Sequence, residues 1–184
     1  HNPMPVVDAV STGIKLASAI ETAHRSGILH RDIKPSNVVM GAPACLVDLS
    51  VARSSRSAAA ITGIIGTDAY LAPEQADPGG RYGVPGPASD VWGIGATLFH
   101  AIAGVRPFRY GDVDGASAAV RHPQTVEDAG ELPPRTPPEV VAVVRGALER
   151  DPAHRPRPHE IADALEPVLA RQGPPQLAFR VGGR

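Results

Sequence analysis

No apolar run in these 184 residues approaches the roughly 18 that a membrane-crossing helix needs, and no signal-peptide pattern is present. No membrane segment is therefore expected. The single Cys45 cannot close an internal disulfide, which fits a reducing, cytoplasmic setting. Charge of one sign is also missing: 18 basic residues stand against 19 acidic ones, and no basic stretch is long enough to follow a phosphate backbone. Nucleic acid is not an expected partner. None of the seven histidines falls in a His-Glu-x-x-His pattern, and one cysteine cannot build a thiolate cluster, so no zinc site is expected. Internal repeats are absent. The length suits one domain with a real core.

Proline and glycine are plentiful, 20 and 19 residues, and much of both falls in 78–87 and 133–138, which reads as loops. Between the loops the patterning is mainly helical. Residues 6–26 repeat Val7, Val10, Ile14 and Ala17 at helical spacing, with Gly27 placed to end the helix in a left-handed cap. Val38-Val39-Met40 and Cys45-Leu46-Val47 flank Gly41-Ala42-Pro43 as two short strands around a turn. Residues 89–103 are apolar on nearly every face and stop at Gly104, the pattern of a buried helix. Thr136-Pro137-Pro138-Glu139 offers a capping threonine, a first-turn proline and a glutamate, opening a helix with Val140, Val143, Val144 and Leu148. A last helix is expected over about 159–170, with Ile161, Ala164, Leu165 and Val168 on one side, before a flexible tail over 171–184.

The chemistry is concentrated in His30-Arg31-Asp32-Ile33-Lys34-Pro35-Ser36-Asn37. One carboxylate, one ammonium and one amide within a few residues are what phosphoryl transfer requires: a proton acceptor, a charge beside the moving phosphate and a metal ligand. Alone, Asp32 reads more readily as a turn cap and Lys34 as a solvated lysine. Together they spell His-Arg-Asp-x-Lys-x-x-Asn, which chance would supply about once in ten thousand chains of this length. The chain resembles the eukaryotic-type serine/threonine protein kinases, most closely in phrasing those of bacteria and of actinobacteria among them.

That resemblance implies a set of roles. Asp32 would orient and deprotonate the substrate hydroxyl, Lys34 would sit by the γ-phosphate of ATP, and Asn37 would bind Mg2+. Val39 matches the apolar floor under the adenine, although an ordinary core valine fits as well. Asp48 matches the metal-binding aspartate of Asp-Phe-Gly, here Asp48-Leu49-Ser50, where serine resists backbone angles that glycine tolerates. Residues 51–66, with Ser54, Ser55, Ser57 and Thr62, occupy the place of an activation loop whose phosphate would pair with Arg31; an unregulated loop is the alternative. Thr67, in Gly66-Thr67-Asp68-Ala69-Tyr70-Leu71-Ala72-Pro73-Glu74, would bond to Asp32 and Lys34. Glu74 would pair with Arg155, and Asp90 would accept the backbone amides around His30 and Arg31, both as structural supports. His24 and His30 read as helix-end packing and loop bracing.

The resemblance covers about 5–170, so residues 1–170 are expected to form a kinase C-terminal lobe. Its fold would be a mainly α bundle around a buried central helix, with a small β-hairpin at the cleft. The 29 residues before His30 contain no Gly-x-Gly and no Val-Ala-x-Lys, so the N-terminal lobe is expected to be absent and the chain alone inactive. Its surface around Val39 and Met40 would then be partly apolar and prone to association. The implied partners are ATP, Mg2+ and a protein substrate with a serine or threonine acceptor. A non-catalytic, pseudokinase-like binding module is the alternative reading.

Overall fold

A computed structural model describes residues 3–39, 45–46, 53–54 and 70–172, of which 39, 45–46, 53–54 and 172 are described by backbone alone. Helix α1, Val6–Arg25, follows Pro5 and carries Asp8 in its first turn and His24 and Arg25 in its last, charges that suit the two ends of the helix dipole. Gly27, at φ 72°, turns the chain out of it. The buried face centres on Ala9, Val10, Leu16, Ala17 and Ile20. Val7 and Ile14, expected at its heart, are only half-buried. Gly13 explains the shift, because a Cβ there would lie 2.8 Å from Leu98 and 3.1 Å from Leu165. The helix is drawn in at that notch, and the residues flanking it become the core.

The central helix, Pro87–Ala103, comes third among the α-helices, after a single turn at Pro73–Ala76 (α2), and is α3 here. Val91, Trp92, Ile94, Leu98, Phe99 and Ile102 are all buried. Trp92 stacks on Phe108 with centroids 5.4 Å apart and planes 8° from parallel. Gly104, at φ 74°, caps the helix and donates its N–H to the His100 carbonyl at 2.8 Å. A further short turn, Ala118–Arg121 (α4), lies in the long connection that follows.

Two more helices complete the bundle: α5, Pro138–Ala147, packed on α3, and α6, Pro158–Gln172, packed on α1 and α5. Thr136 does not cap α5. Pro138 restricts the residue before it to extended angles, so Pro137, at φ −52° and ψ 138°, takes the capping position and provides no side-chain oxygen. On α6, Ile161, Leu165 and Val168 are buried as the periodicity requires, but Ala164 is exposed and Ala162 is buried in its stead. That helix also runs past residue 170 to Gln172, with Arg171 tied to Glu139 of α5 at 2.6 Å.

Strands are few and very short. Ile28–Leu29 (β1) pairs antiparallel with Arg53–Ser54 (β4), and Val38–Val39 (β2) with Cys45–Leu46 (β3). The second pair joins the two short strands expected around Gly41-Ala42-Pro43; the first lays Arg53–Ser54 alongside the entry to the 30–37 loop. Among the described residues no helix is long and apolar enough to cross a membrane. The architecture is mainly helical, a bundle around a buried central helix with a small hairpin at the loop.

Candidate active site

The 30–37 loop is suspended over the N-terminus of α3. Asp90, in the first turn of that helix and 1% exposed, accepts the His30 N–H on Oδ2 at 3.0 Å and the Arg31 N–H on Oδ1 at 2.7 Å. A carboxylate suits a helix N-terminus, and here it also satisfies two backbone donors that a tight loop would otherwise bury without partners. His24, from the last turn of α1, adds its Nε2 to Asp90 Oδ2 at 2.8 Å. It is therefore a polar brace and not helix-end packing. His30 braces the loop from within, its Nδ1 facing the Asp32 N–H at 3.4 Å.

Arg31 is the one described non-glycine residue at positive φ, 67°. For an L-residue that conformation costs about 1–2 kcal/mol. It is fixed from both sides: Asp90 takes the N–H, and the Gln75 side-chain amide donates to the carbonyl at 2.9 Å. Gln75 is itself held, its Oε1 accepting the Ala72 N–H at 3.2 Å. Beneath the next turn, a Cβ on Gly93 would lie 2.8 Å from the Ile33 Cβ and 3.0 Å from its carbonyl oxygen. A glycine at that place lets the loop rest directly on α3.

This suspension presents Asp32, Lys34 and Asn37 together. Lys34 Nζ lies 2.7 Å from Asp32 Oδ2. Asn37, 6% exposed, donates from Nδ2 to the Asp32 carbonyl at 2.8 Å and to Asp32 Oδ2 at 3.1 Å. Pro35 starts the single turn Pro35–Asn37 and presets its geometry, and the Asn37 N–H closes on the Lys34 carbonyl at 3.0 Å. With both Nδ2 protons committed to Asp32, Oδ1 is the Asn37 atom left to coordinate a hard cation, so the residues present suit Mg2+. Among the described residues no group of three histidine, cysteine, aspartate or glutamate side chains could hold a metal. Asp48, Thr62, Thr67, Met40 and the Val39 side chain lie outside the described residues.

A second support lies further from the loop. Arg155 and Glu74 form a bidentate pair at 2.7 and 2.8 Å, with side chains 0% and 1% exposed. The same guanidinium donates to the carbonyls of Glu149 (2.6 Å), Ala88 (2.8 Å) and Arg150 (3.0 Å). All five of its N–H groups are thus matched, which is what makes a charge tolerable at this depth. Its Cζ also lies 5.0 Å from the centroid of the Trp92 ring. Ser89 completes Glu74 by donating to Oε1 at 2.8 Å. The links made by His24, Gln75 and Ser89 carry no sequence pattern of their own. A cavity of about 380 Å3, lined by Phe99, Leu132, Val144 and Leu148, lies apart from Asp32, Lys34 and Asn37.

Comparison with known proteins accords with this geometry. Residues 4–165 match the family described as the protein kinase domain. The serine/threonine-protein kinase PknK of Mycobacterium tuberculosis is 36% identical over 180 residues, covering 94% of this chain and 16% of that protein. PknA of the same species is 35% identical over 164 residues, 86% of this chain and 36% of that protein. A probable serine/threonine-protein kinase of Clostridium perfringens is 35% identical over 161 residues, 83% of this chain and 22% of that protein. The chain therefore spans between 16% and 36% of the length of these relatives. With most of its length matched, its catalytic-loop spelling intact and relatives above 30% identity, the chain belongs to the protein kinase family.

Proposed function

We propose that this chain is the C-terminal-lobe part, residues 1–170, of a serine/threonine protein kinase that transfers the ATP γ-phosphate to a hydroxyl of a protein substrate in the cytoplasm. The observation that carries the reading is the convergence of Lys34 Nζ and Asn37 Nδ2 on one carboxylate, that of Asp32. In the reaction the acceptor oxygen bonds to the γ-phosphorus as the bond to the bridging oxygen of ADP breaks, and the hydroxyl proton passes to Asp32. Lys34 leaves Asp32 to offset charge on the transferring oxygens. Asn37 and Asp48 would hold Mg2+, which when bound would supply positive charge to offset that of the phosphates. Thr67 keeps Asp32 and Lys34 in register, Val39 floors the adenine site, and a phosphate on the segment around Thr62 pairs with Arg31. Glu74, Asp90 and Arg155 touch no substrate and act as supports.

Calorimetry of Mg-ATP binding by this chain and its Asp48→Ala variant tests the metal site. Transfer from labelled ATP by the gene product carrying the chain, with its Asp32→Asn variant, tests the chemistry. We expect binding to be lost in the first variant and transfer to fall about 10²–10⁴-fold in the second. Transfer indifferent to Asp32→Asn would sink the proposal. An absence of both binding and transfer would favour a non-catalytic module, the reading to which Asp48-Leu49-Ser50 gives its support.

A further inference from the structure

Gln75 lies in the single turn of α2, is 4% exposed and bonds through its side chain to two different segments. Its Oε1 accepts the Ala72 N–H at 3.2 Å, and its own backbone N–H donates to the Ala72 carbonyl at 2.8 Å. Capping the turn needs no more than this reciprocal pair, so the Nε2 half of the amide is surplus to the cap. That half crosses to the 30–37 loop and donates to the Arg31 carbonyl at 2.9 Å. An apolar side chain of similar length would fill the same buried space without needing a partner. A buried amide in this place therefore points to a use for its donor.

The bond falls on the peptide group that carries Asp32. The Arg31 carbonyl, the Asp32 N–H and the Asp32 Cα lie in one rigid plane, because a peptide group does not rotate about its C–N bond. Whatever fixes the carbonyl oxygen thus fixes the root of the Asp32 side chain. Arg31 is held at φ 67°, a region costly for a residue with a Cβ. Asp90 grips the preceding plane through the Arg31 N–H at 2.7 Å, which leaves rotation about the Arg31 Cα–C bond to turn the plane that follows. Gln75 closes that rotation from the carbonyl side. On the opposite edge of the same plane, the Asp32 N–H faces His30 Nδ1 at a long 3.4 Å.

The other end of the tie is itself anchored. Ala72 is fully buried, the Leu71 carbonyl accepts from Gln124 Nε2 at 3.2 Å, and Glu74 is locked by Arg155. Gln75 therefore joins a fixed stretch, 71–76, to the peptide plane behind Asp32. We infer that Gln75 is a positioning residue for Asp32: by holding the Arg31 carbonyl, it sets the aim of the carboxylate toward the acceptor hydroxyl. The inference rests on the kinase reading above. It concerns the rate of transfer and not the hold on nucleotide, since the side-chain bonds of Gln75 go to Arg31 and Ala72 and not to Lys34 or Asn37.

The test uses the gene product carrying this chain, a serine peptide as acceptor and two variants of Gln75. Gln75→Met keeps the length and loses both side-chain bonds. Its kcat per folded molecule is expected to fall about ten- to hundredfold, with KM for ATP within about twofold. Gln75→Glu keeps the acceptor for Ala72 but donates to the Arg31 carbonyl only while its carboxyl is protonated. Burial raises the pKa of such a carboxyl, so kcat relative to the unaltered protein should approach one at acid pH and fall as pH rises. The charged groups along these contacts, Arg31, Asp32, Glu74, Asp90 and Arg155, are the same in both proteins, and unfolding curves give the folded fraction at each pH. A cap alone predicts a flat ratio, because the ionised form still accepts the Ala72 N–H. If Gln75→Met does not fold, the pH series decides by itself. A flat ratio, or an unchanged kcat per folded molecule in Gln75→Met, overturns the inference and leaves the kinase assignment standing. Absence of transfer by the unaltered protein overturns both.

Discussion

Asp90 and Asp32 serve the same loop and are satisfied in opposite ways. Asp90 is 1% exposed and takes all its partners from distant elements: the backbone of His30 and Arg31 and the ring of His24. Asp32 is half-buried, and its carboxylate is met by Lys34 and Asn37 of its own loop. The first arrangement needs no ligand to be complete. The second consists of the groups that a phosphate, a metal and a hydroxyl would take over. Positioning is therefore built into the fold at the floor of the loop, whereas the reactive face is held by contacts that must be exchanged. The kinase proposal depends on this division, and substitutions can test each side of it.

The largest effect is expected at the deepest charge. Arg155→Ala leaves Glu74 buried with only Ser89 to satisfy it, and three carbonyls lose their donor. A loss of about 3–5 kcal/mol is expected in urea unfolding, a large part of the stability of a small domain. Arg145→Ala removes a guanidinium from a pair only slightly longer, 3.0 Å to Glu131, but one whose side chains are 66% and 84% exposed. Its unfolding midpoint should not move measurably. Equal losses in the two variants would show that depth is not what separates these pairs.

Next in size is the floor of the loop. Asp90→Asn keeps the shape but offers one acceptor oxygen where two are used, leaving an N–H of the loop unmatched, at a cost of about 1–3 kcal/mol. His24→Ala removes only one of the three donors to Asp90 and leaves both backbone bonds, so its loss should be the smaller. Amide exchange at His30 and Arg31 distinguishes loop release from general unfolding: protection should collapse in Asp90→Asn and largely persist in His24→Ala. The reverse order would make His24, and not the backbone bonds, the principal hold on the loop.

How much of this was legible beforehand follows from the range of each interaction. The loop spelled itself out because its reactive groups are neighbours in sequence, and α1 and α3 were legible because periodicity is a local property. The Gln75 bond to Arg31 joins positions 44 residues apart, and the His24 bond to Asp90 joins positions 66 apart. Neither spacing implies a contact. At α6 the choice between Ala162 and Ala164 had no chemical basis, since both are alanine and only packing against α1 and α5 separates them. Thr136 is different. Its misassignment as a cap could have been avoided, because Pro137-Pro138 already forbids a helical Pro137.

The smallest predicted effect concerns pH and lies at the edge of the bundle, away from both aspartates. Burial lowers the His100 pKa below its ordinary value near 6.5, and the nearby Arg106 lowers it further. The unfolded chain therefore binds the His100 proton at higher pH than the folded chain does. Between those two values the unfolded state holds more protons, so stability rises with pH there. The His100 contribution is complete above about 6.5 and is lost as pH falls through the folded value. His100→Gln cannot take up that proton, so the gap in unfolding midpoint between wild type and variant should change across the window and flatten on either side. Every other group is common to both proteins and cancels in the difference. A gap that instead moved in favour of the wild type on acidification would mean that folding raises the His100 pKa, and that the ring carries charge beside Tyr70.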